Sequence, residues 1–292
     1  MTFSIVARDE RAGELGIAVQ SKFLAVGAVV PWARGGIGAI ATQAWANTSF
    51  GPDGLALLAN GSSPEETLAH LLEGDEGRDD RQIGIVGTHG TPISYTGKRC
   101  YPWAGERTGS NYACQGNILV GADTVEAMAE TFEASTGPLC DRLLAALDAG
   151  QMAGGDSRGQ QSAALLVVRE HGGYGGFNDR FIDLRVDDHP TPIAELQRLL
   201  QLHKLYLFPT DPHDVLAIDA SLAHELQTLL TATGDYQGVV SDTYDDAARD
   251  ALRTFSGREN LEERWIEDAH IDRVVLEFLR EKAHQQTQQD AL

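Results

Sequence analysis

The sequence has few cysteines and no long apolar run, and each shortage excludes a class of protein. Cysteine occurs three times in 292 residues, at positions 100, 114 and 140, without paired spacing. Such a set supports neither a disulfide framework nor a zinc site, and it is typical of a reducing compartment. No apolar stretch approaches the length that a helix needs to cross a bilayer. Because no basic, apolar leader opens the chain either, we expect a cytoplasmic protein with no membrane partner.

Basic residues are scarce beside acidic ones. The chain has 23 Lys and Arg against 43 Asp and Glu, which gives a formal net charge of −20. A protein of this charge repels the phosphates of nucleic acids and anionic lipids, so we expect neither as a partner. The hydrophobic content of 42% and charged content of 23% are those of a soluble globular protein. The length allows one large domain or two ordinary ones.

Residues 1–207 alternate between runs of predicted strands and runs of predicted helices. Apolar periodicity and turn residues predict strands at 3–9, 15–23, 25–33, 35–45, 162–170 and 180–189. They also predict a hairpin over 81–97 that turns at His89-Gly90, and a strand or a strand and loop over 111–121. Spacings of three and four residues predict helices at 51–61, 62–75, 122–135, 138–151 and 192–208. This order is typical of a layered α+β domain rather than a doubly wound parallel sheet.

The remainder of the chain has a different pattern. Residues 208–216 contain two prolines within "FPTDPHD", which predicts a linker. Residues 217–285 have three helical stretches and predict a small all-α domain. Residues 286–292 form a polar tail that we expect to fray.

Thr2 lies at the edge of the first predicted strand. After removal of Met1, which the small side chain at position 2 permits, Thr2 would carry a hydroxyl and a free α-amine on one residue. The amine can act as the base for the hydroxyl, directly or through one water. An unperturbed α-amine titrates at about 7.7–8.0, so a useful fraction is neutral at cytoplasmic pH. The alternative is that Thr2 is an ordinary strand residue without chemistry.

Several sequence blocks resemble the bacterial family of unknown function DUF1028. They are "MTFSIVARD", "GELGIAVQSKFLAVGAVVPWARGGIGAIATQAWAN", "GPDGLALLANG", "YACQGNILVG", "AGGDSRGQQSAALLVVRE" and "GGYGGFNDRFIDLRVDDHPTPIAEL". The resemblance covers roughly the first 207 residues. It implies the N-terminal nucleophile (Ntn) hydrolase superfamily, whose fold is a four-layer αββα sandwich. In that superfamily the nucleophile is the first residue of the first strand, which matches Thr2 here, and the implied reaction is amide hydrolysis without a cofactor.

Three further residues are candidates for catalytic roles. Asn117, in "QGN", is a candidate donor to the developing oxyanion, or else an ordinary turn asparagine. Lys22 would favour a neutral terminal amine by like-charge repulsion, unless it is simply solvated at a strand end. Asp156 resembles, with Ser162, a pair that orients the nucleophile and its amine in related enzymes. The alternative for this pair is a structural loop with an Asp–Arg contact.

The other candidates are assigned to substrate binding. Besides Ser162, they are Thr42 and Gln43 at the end of one predicted strand, and the basic residues Arg34 and Arg158. Thr42 and Gln43 lie in a region where the superfamily commonly provides backbone N–H donors. The two arginines could bind an anionic group of the substrate.

Two other groups of residues have simpler explanations. Asp187, Asp188 and His189 suggest a metal cluster, but adjacent strand residues point to opposite faces and cannot all bind one ion. We therefore expect no metal site. Trp32, Trp45 and Trp103 could line a pocket, although packing in the core and on the sheet surface is the interpretation that we favour.

The helical C-terminal region resembles a peptidoglycan-binding-like module. Its pattern includes a Leu-Gln pair at 226–227, glycines at 234 and 238, and an aromatic at Phe255. The segment "SDTYD" departs from the Asp-Gly turn that is usual in that module. The resemblance implies a peptidoglycan fragment as a partner; a structural role in packing is the alternative.

These observations predict a hydrolase of a small amide or peptide bond that uses Thr2 as its nucleophile. The alternative is a catalytically inactive Ntn-fold binding or scaffold protein whose C-terminal domain binds a cell-wall fragment or a protein. Because sandwich folds of this kind often oligomerise, we expect a homodimer or a higher homo-oligomer.

Overall fold

The structure is a computed structural model that describes residues 2–290. Met1, whose removal the sequence analysis expects, lies outside the described residues, as do positions 291–292 of the predicted tail. The chain divides into two compact units, residues 1–200 and 201–292. The described part is mixed α/β, with two sheets and five helices beginning in the first unit and mainly helices in the second.

The described residues contain twelve strands and eight α-helices. The strands are β1 (Thr2–Asp9), β2 (Glu14–Ser21), β3 (Pro31–Arg34), β4 (Gly38–Ala44), β5 (Arg81–Gly87), β6 (Ile93–Thr96), β7 (Gly105–Thr108), β8 (Tyr112–Asn117), β9 (Ser162–Val168), β10 (Arg180–Val186), β11 (Val215–Ala217) and β12 (His270–Asp272). The helices are α1 (Phe50–Ala59), α2 (Pro64–Glu73), α3 (Asp123–Ala134), α4 (Leu139–Met152), α5 (Pro192–Leu207), α6 (Ala220–Ala232), α7 (Asp246–Arg258) and α8 (Arg273–Asp290).

The first unit contains two antiparallel sheets. The larger sheet has the strand order β10-β9-β2-β1-β8-β7, and the smaller sheet has the order β3-β4-β5-β6. Strand β1 is therefore an inner strand with partners on both sides. Because strand side chains alternate between faces, Phe3 points toward helix α4 while Ser4 points toward the smaller sheet.

Apolar side chains join the two sheets and cover their outer faces. Val6 and Val19 of the larger sheet pack with Ala39 and Val86 of the smaller one. Helices α1 and α2 pack on the other face of the smaller sheet, around Ile40, while α3 and α4 cover the larger sheet. These contacts bury both faces of both sheets, which explains the nearly continuous apolar character of β1 and β2.

A glycine sets the close approach of α4 to the larger sheet. A side chain at Gly16 of β2 would lie 2.6 Å from Leu143 Cδ1 of that helix. The missing Cβ therefore provides the space into which Leu143 packs.

The second unit has its own apolar core. Helices α6, α7 and α8 pack together around Leu226, Phe255 and Leu279, and the short strands β11 and β12 pair antiparallel. Residues 208–216, expected as a linker, contain the helical turn Pro212–Asp214 and the first residues of β11. No helix among the described residues is long and apolar enough to cross a membrane.

Candidate active site

Thr2 begins β1 between the last residues of two neighbouring strands. It pairs with Ser21 of β2 on one side and with Asn117 of β8 on the other. Its hydroxyl oxygen Oγ1 lies 3.1 Å from Ser21 Oγ, within hydrogen-bond distance. Thr2 is only 6% exposed, so the hydroxyl is held in a defined place rather than on a free end.

A network of buried amides holds the start of β1 against the smaller sheet. Gln43 Nε2 donates to the Thr2 carbonyl oxygen at 3.3 Å and to Gln82 Oε1 at 2.8 Å, and Gln43 Oε1 accepts from the Ser4 hydroxyl at 2.7 Å. Asn117 Nδ2 donates to the same Gln82 oxygen at 2.8 Å. Because all of these polar groups are buried, each bond strongly constrains its partners.

Gln43 and Asn117 were predicted as site residues from the sequence, whereas Gln82 was not. Gln115, whose Nε2 donates to Ser4 Oγ at 2.6 Å, was not predicted either. The available signal was a single glutamine in a mainly apolar strand, which occurs in β4, β5 and β8 but also in β2, so it does not single out these residues.

Asp156 lies just beyond the amino end of Thr2. Its Oδ2 accepts from the Lys22 backbone N–H at 3.0 Å. The backbone of Asp156 forms an isolated antiparallel β-bridge with that of Leu119. Lys22 follows Ser21, and Leu119 lies two residues after Asn117, so Asp156 spans the ends of the two strands that flank Thr2. The carboxylate is buried and also forms an ion pair with Arg158, at 3.3 Å from Nη2.

Lys22 and Ser162 act on the loop beside Thr2 rather than on Thr2 itself. The Lys22 ammonium is exposed and donates to the Gln160 carbonyl oxygen at 3.1 Å. The buried Ser162 hydroxyl accepts from the Val26 N–H at 3.0 Å and donates to the Phe23 carbonyl oxygen. Together these bonds fix the segment 22–26.

Thr42 and Arg34 lie away from Thr2. Thr42 follows the strand alternation to the opposite face from Gln43, where its hydroxyl donates to the Asn47 carbonyl oxygen at 3.2 Å. Arg34 pairs with Gly38 at the other end of the smaller sheet, near Arg8. Arg8 lies six residues along β1 from Thr2, or roughly 20 Å. The expectation that these two residues bind substrate beside Thr2 is therefore corrected by their positions.

A cavity of about 210 Å³ opens beside Thr2. Among residues 2–290, three polar residues line it: Thr2, Ser21 and Gln43. The rest of its lining is apolar: Phe23, Val26, Val29, Val30, Ala44, Trp45 and Ala46. Trp45 is 78% exposed at this cavity, so the packing role expected for it is wrong.

Unusual backbone conformations occur at one residue that lines this cavity, Ala44, and at two residues adjacent in sequence to site residues, Ala25 and Ile118. Ala25, Ala44 and Ile118 have φ angles of 54°, 66° and 52°, in the left-handed region that residues with a Cβ rarely adopt. Ala44 follows Gln43, and Ile118 follows Asn117. Such conformations cluster where the surrounding structure fixes functional groups.

A larger cavity lies at the far end of β1 and β2. Its volume is about 600 Å³, and charged side chains including Arg8, Glu14 and Glu170 line it. Thr2 is not among its lining residues, so the smaller cavity is the better candidate for the active site. Among residues 2–290 no group of three or more His, Cys, Asp and Glu could hold a metal ion.

Comparisons with known proteins identify relatives of both parts of the chain. Residues 2–196 match the model of the family of unknown function DUF1028, and residues 206–279 match that of a peptidoglycan binding domain. The crystal structure of protein SPO2555 from Silicibacter pomeroyi, also assigned to DUF1028, is 34% identical with a TM-score of 0.64. This match covers 70% of the present chain and 86% of that one.

A second solved structure is more distant. It is Anbu, the ancestral β-subunit from Yersinia bercovieri, with 12% identity and a TM-score of 0.32 over 70% of this chain and 96% of that one. No curated protein matches the chain.

Proposed function

The chain belongs to the DUF1028 family, and we propose that it hydrolyses a small amide or peptide bond with Thr2 as an N-terminal nucleophile. One observation carries the proposal. The Thr2 hydroxyl lies at the start of an inner strand, 3.1 Å from the Ser21 hydroxyl, and both residues line a cavity large enough for part of a substrate.

The proposal includes the fold of the Ntn hydrolase superfamily. In a four-layer αββα sandwich, two antiparallel sheets lie between two layers of helices. The packing of α1 and α2 on one sheet and of α3 and α4 on the other supports this assignment. The position of Thr2 at the first residue of β1 supports it independently.

The proposed reaction begins after removal of Met1 leaves a free α-amine on Thr2. The amine takes the hydroxyl proton, directly or through one water, and Oγ1 attacks the substrate carbonyl carbon. The proton then passes to the leaving nitrogen as the C–N bond breaks, which leaves an ester on Thr2. A water molecule activated by the same amine hydrolyses the ester and restores the hydroxyl.

Neighbouring side chains have positioning roles in this proposal. Ser21 holds Thr2 Oγ1, and Asp156, beyond the amino end of Thr2, orients the amine. The Lys22 backbone N–H and Arg158 in turn hold the Asp156 carboxylate. For the oxyanion we assign Asn117 of β8, whose amide has one N–H besides the one that it donates to Gln82. Lys22 thus acts through its backbone rather than its ammonium.

Substitution of Thr2 tests the proposal. We expect Thr2→Ala to lose hydrolysis of a panel of small amides by about a thousandfold or more, while Thr2→Ser keeps part of the rate. Thr91→Ala, at an exposed threonine of the same unit, is the matched control and should keep the full rate. Equal rates for Thr2→Ala and the unsubstituted protein would sink the proposal.

A second candidate function is capture of a cell-wall fragment by the helical unit. The match of residues 206–279 to a peptidoglycan binding domain favours it, and it is compatible with an inactive or an active first unit. Co-sedimentation of the full chain with purified peptidoglycan measures it. Equal sedimentation with and without peptidoglycan would exclude this candidate.

A further inference from the structure

The cavity beside Thr2 also indicates which substrates the site accepts. We propose that the amide carries a small, uncharged, apolar acyl group, which occupies this cavity while Thr2 attacks the carbonyl carbon. This inference rests on the proposed function and adds the substrate class to it. We call the cavity the acyl pocket and define its apolar wall by Phe23, Val26, Val29, Val30 and Trp45.

The chemistry of the wall selects against charge. The polar lining groups, Thr2, Ser21 and Gln43, belong to the start of β1 and its neighbours, where the reacting carbonyl must lie. Within the part of the chain that the structure describes, no charged side chain lines the acyl pocket. A carboxylate or ammonium bound there would lose its water without gaining a partner.

The wall is held in place from behind, so the pocket exists before a ligand arrives. The Ala25 N–H donates to the Asp187 carbonyl oxygen at 2.9 Å, and the Val26 N–H donates to Ser162. On the opposite side, the Trp45 carbonyl oxygen accepts from Arg81 Nη1 at 2.6 Å. Because the wall is already ordered, it loses little conformational entropy on binding. The match between ligand and pocket therefore decides affinity.

The size of the pocket limits the acyl group. A volume of about 210 Å³ lies below the roughly 300–1,000 Å³ that is usual for drug-sized ligands. A short branched chain therefore fits better than a long or polycyclic group. Phe23 and Trp45, 52% and 78% exposed, lie at the mouth and provide apolar contacts for a group entering from solvent.

Three anilides of matched shape test the inference. Their acyl groups are 4-methylpentanoyl, succinamoyl and succinyl, which end in an isopropyl, a carboxamide and a carboxylate group on the same chain. Binding to the full-length Thr2→Ala variant is measured by tryptophan fluorescence, without turnover. We expect the 4-methylpentanoyl anilide to bind at least about tenfold more tightly than the succinyl anilide, with the succinamoyl anilide between them.

A charge placed in the wall should reverse this order. In a Thr2→Ala background, Val29→Lys should make the succinyl anilide the tightest ligand. Val239→Lys, at an 88% exposed valine of the helical unit, introduces the same charge elsewhere and should leave the order unchanged. Because Val29 is only half-buried, we expect the lysine variant to fold, which circular dichroism checks.

The outcomes separate this inference from the proposed function. Preferred binding of the 4-methylpentanoyl anilide without hydrolysis by the unsubstituted protein supports the acyl pocket and contradicts the hydrolase. Hydrolysis with equal or tighter binding of the succinyl anilide supports the hydrolase and overturns the acyl pocket. Binding of none of the three anilides up to their solubility limits also overturns it.

Discussion

Buried amide side chains determine where the Thr2 hydroxyl stands. Gln43 Nε2, on the smaller sheet, donates to the Thr2 carbonyl oxygen. Gln82 Oε1 accepts hydrogen bonds from both Gln43 and Asn117. An apolar residue at any of these positions would leave buried donors and acceptors without partners. The polar network is therefore costly to interrupt, and it links the position of one hydroxyl to both sheets.

Removal of the Gln43 amide should destabilise the first unit. Gln43→Ala leaves Ser4 and Gln82 short of partners and opens a cavity, so we expect a loss of about 3 kcal/mol in the free energy of unfolding. Gln161→Ala removes an amide that donates to Asp188 at an exposed site and should cost less than about 1 kcal/mol. Urea unfolding followed by circular dichroism measures both variants, and equal losses would contradict the network.

Glu14, at the end of the β1–β2 hairpin away from Thr2, predicts how the free energy of unfolding depends on pH. Burial raises its pKa above the ordinary value of 4.5, and the nearby Arg169 only partly opposes this. The folded state thus holds the proton more tightly than the unfolded state. The stability that the protonated Glu14 contributes is fully present below pH 4.5, its ordinary pKa. It is lost as the pH rises through the higher pKa that Glu14 has in the folded state.

The variant Glu14→Gln removes this titration. We expect its free energy of unfolding, relative to the unsubstituted protein, to increase between pH 4 and pH 8, over about the interval in which a carboxyl of raised pKa ionises. Urea unfolding at several pH values gives the difference. A difference that stays constant or decreases with pH would show that the pKa of Glu14 is not raised.

Strand ends and the segments that follow them form the candidate site. β1 begins at Thr2, while β2, β4 and β8 end at Ser21, Ala44 and Asn117. Antiparallel pairing brings the ends of β1, β2 and β8 to one edge because neighbouring strands run in opposite directions. The end of β4, in the smaller sheet, is joined to them by the bond from Gln43 to the Thr2 carbonyl oxygen. Ala25, Ala44 and Ile118, which have positive φ, lie at or just after these strand ends, so a regular scaffold supports an irregular rim.

The hairpin of β1 and β2 was predictable from local sequence pattern, whereas the contacts that bring Gln43, Asn117 and Asp156 to the region of Thr2 were not. A polar turn containing Gly13 between two apolar runs fixes the register that places Thr2 opposite Ser21. The pairing of Thr2 with Asn117 depends on a strand more than a hundred residues away, which local patterns do not specify. Because strand side chains alternate between faces, the sequence could have shown that Thr42 and Gln43 point to opposite faces of β4. The position of Arg34 at the other end of the smaller sheet could not be predicted without the strand order of that sheet.

Two helical glycines should respond oppositely to alanine. A Cβ at Gly51 of α1 would lie 2.2 Å from the Trp32 ring, whereas nothing lies within 4 Å of one at Gly257 of α7. Gly51→Ala should lower the free energy of unfolding by about 1–3 kcal/mol through overpacking. Gly257→Ala should raise it by up to about 1 kcal/mol through helix propensity. Thermal unfolding of both variants measures the signs, and a stabilising Gly51→Ala would contradict the packing of α1.

At the scale of the whole molecule, the chain combines two units with different means of stabilisation. The first unit buries sheets between helices, whereas the second buries an ion pair within a small helical core. Arg264 Nη1 lies 2.7 Å from Asp272 Oδ2, and the same guanidinium donates to the Lys204 and Leu205 carbonyl oxygens. The homo-oligomer expected from the sequence stays a prediction, which sedimentation velocity measures.

The buried pair should matter far more than a surface pair of the same unit. Arg264→Ala leaves the Asp272 carboxylate buried without its cation, and we expect a loss of about 3–5 kcal/mol in the free energy of unfolding. Arg280→Ala removes the exposed pair with Glu225 and should cost less than about 1 kcal/mol. Calorimetry of the full chain measures both variants. Similar losses would mean that burial of the Arg264–Asp272 pair has no special effect.

The most direct test of the Thr2 nucleophile uses an apolar β-lactone. The purified protein is treated with the lactone, and its peptides are mapped by mass spectrometry. Such a lactone acylates an activated hydroxyl and adds its full mass. We predict a chain that starts at Thr2 and carries the added mass on that residue, and no adduct in Thr2→Ala. A catalytically active chain that keeps Met1, or an adduct confined to other residues, would contradict the account.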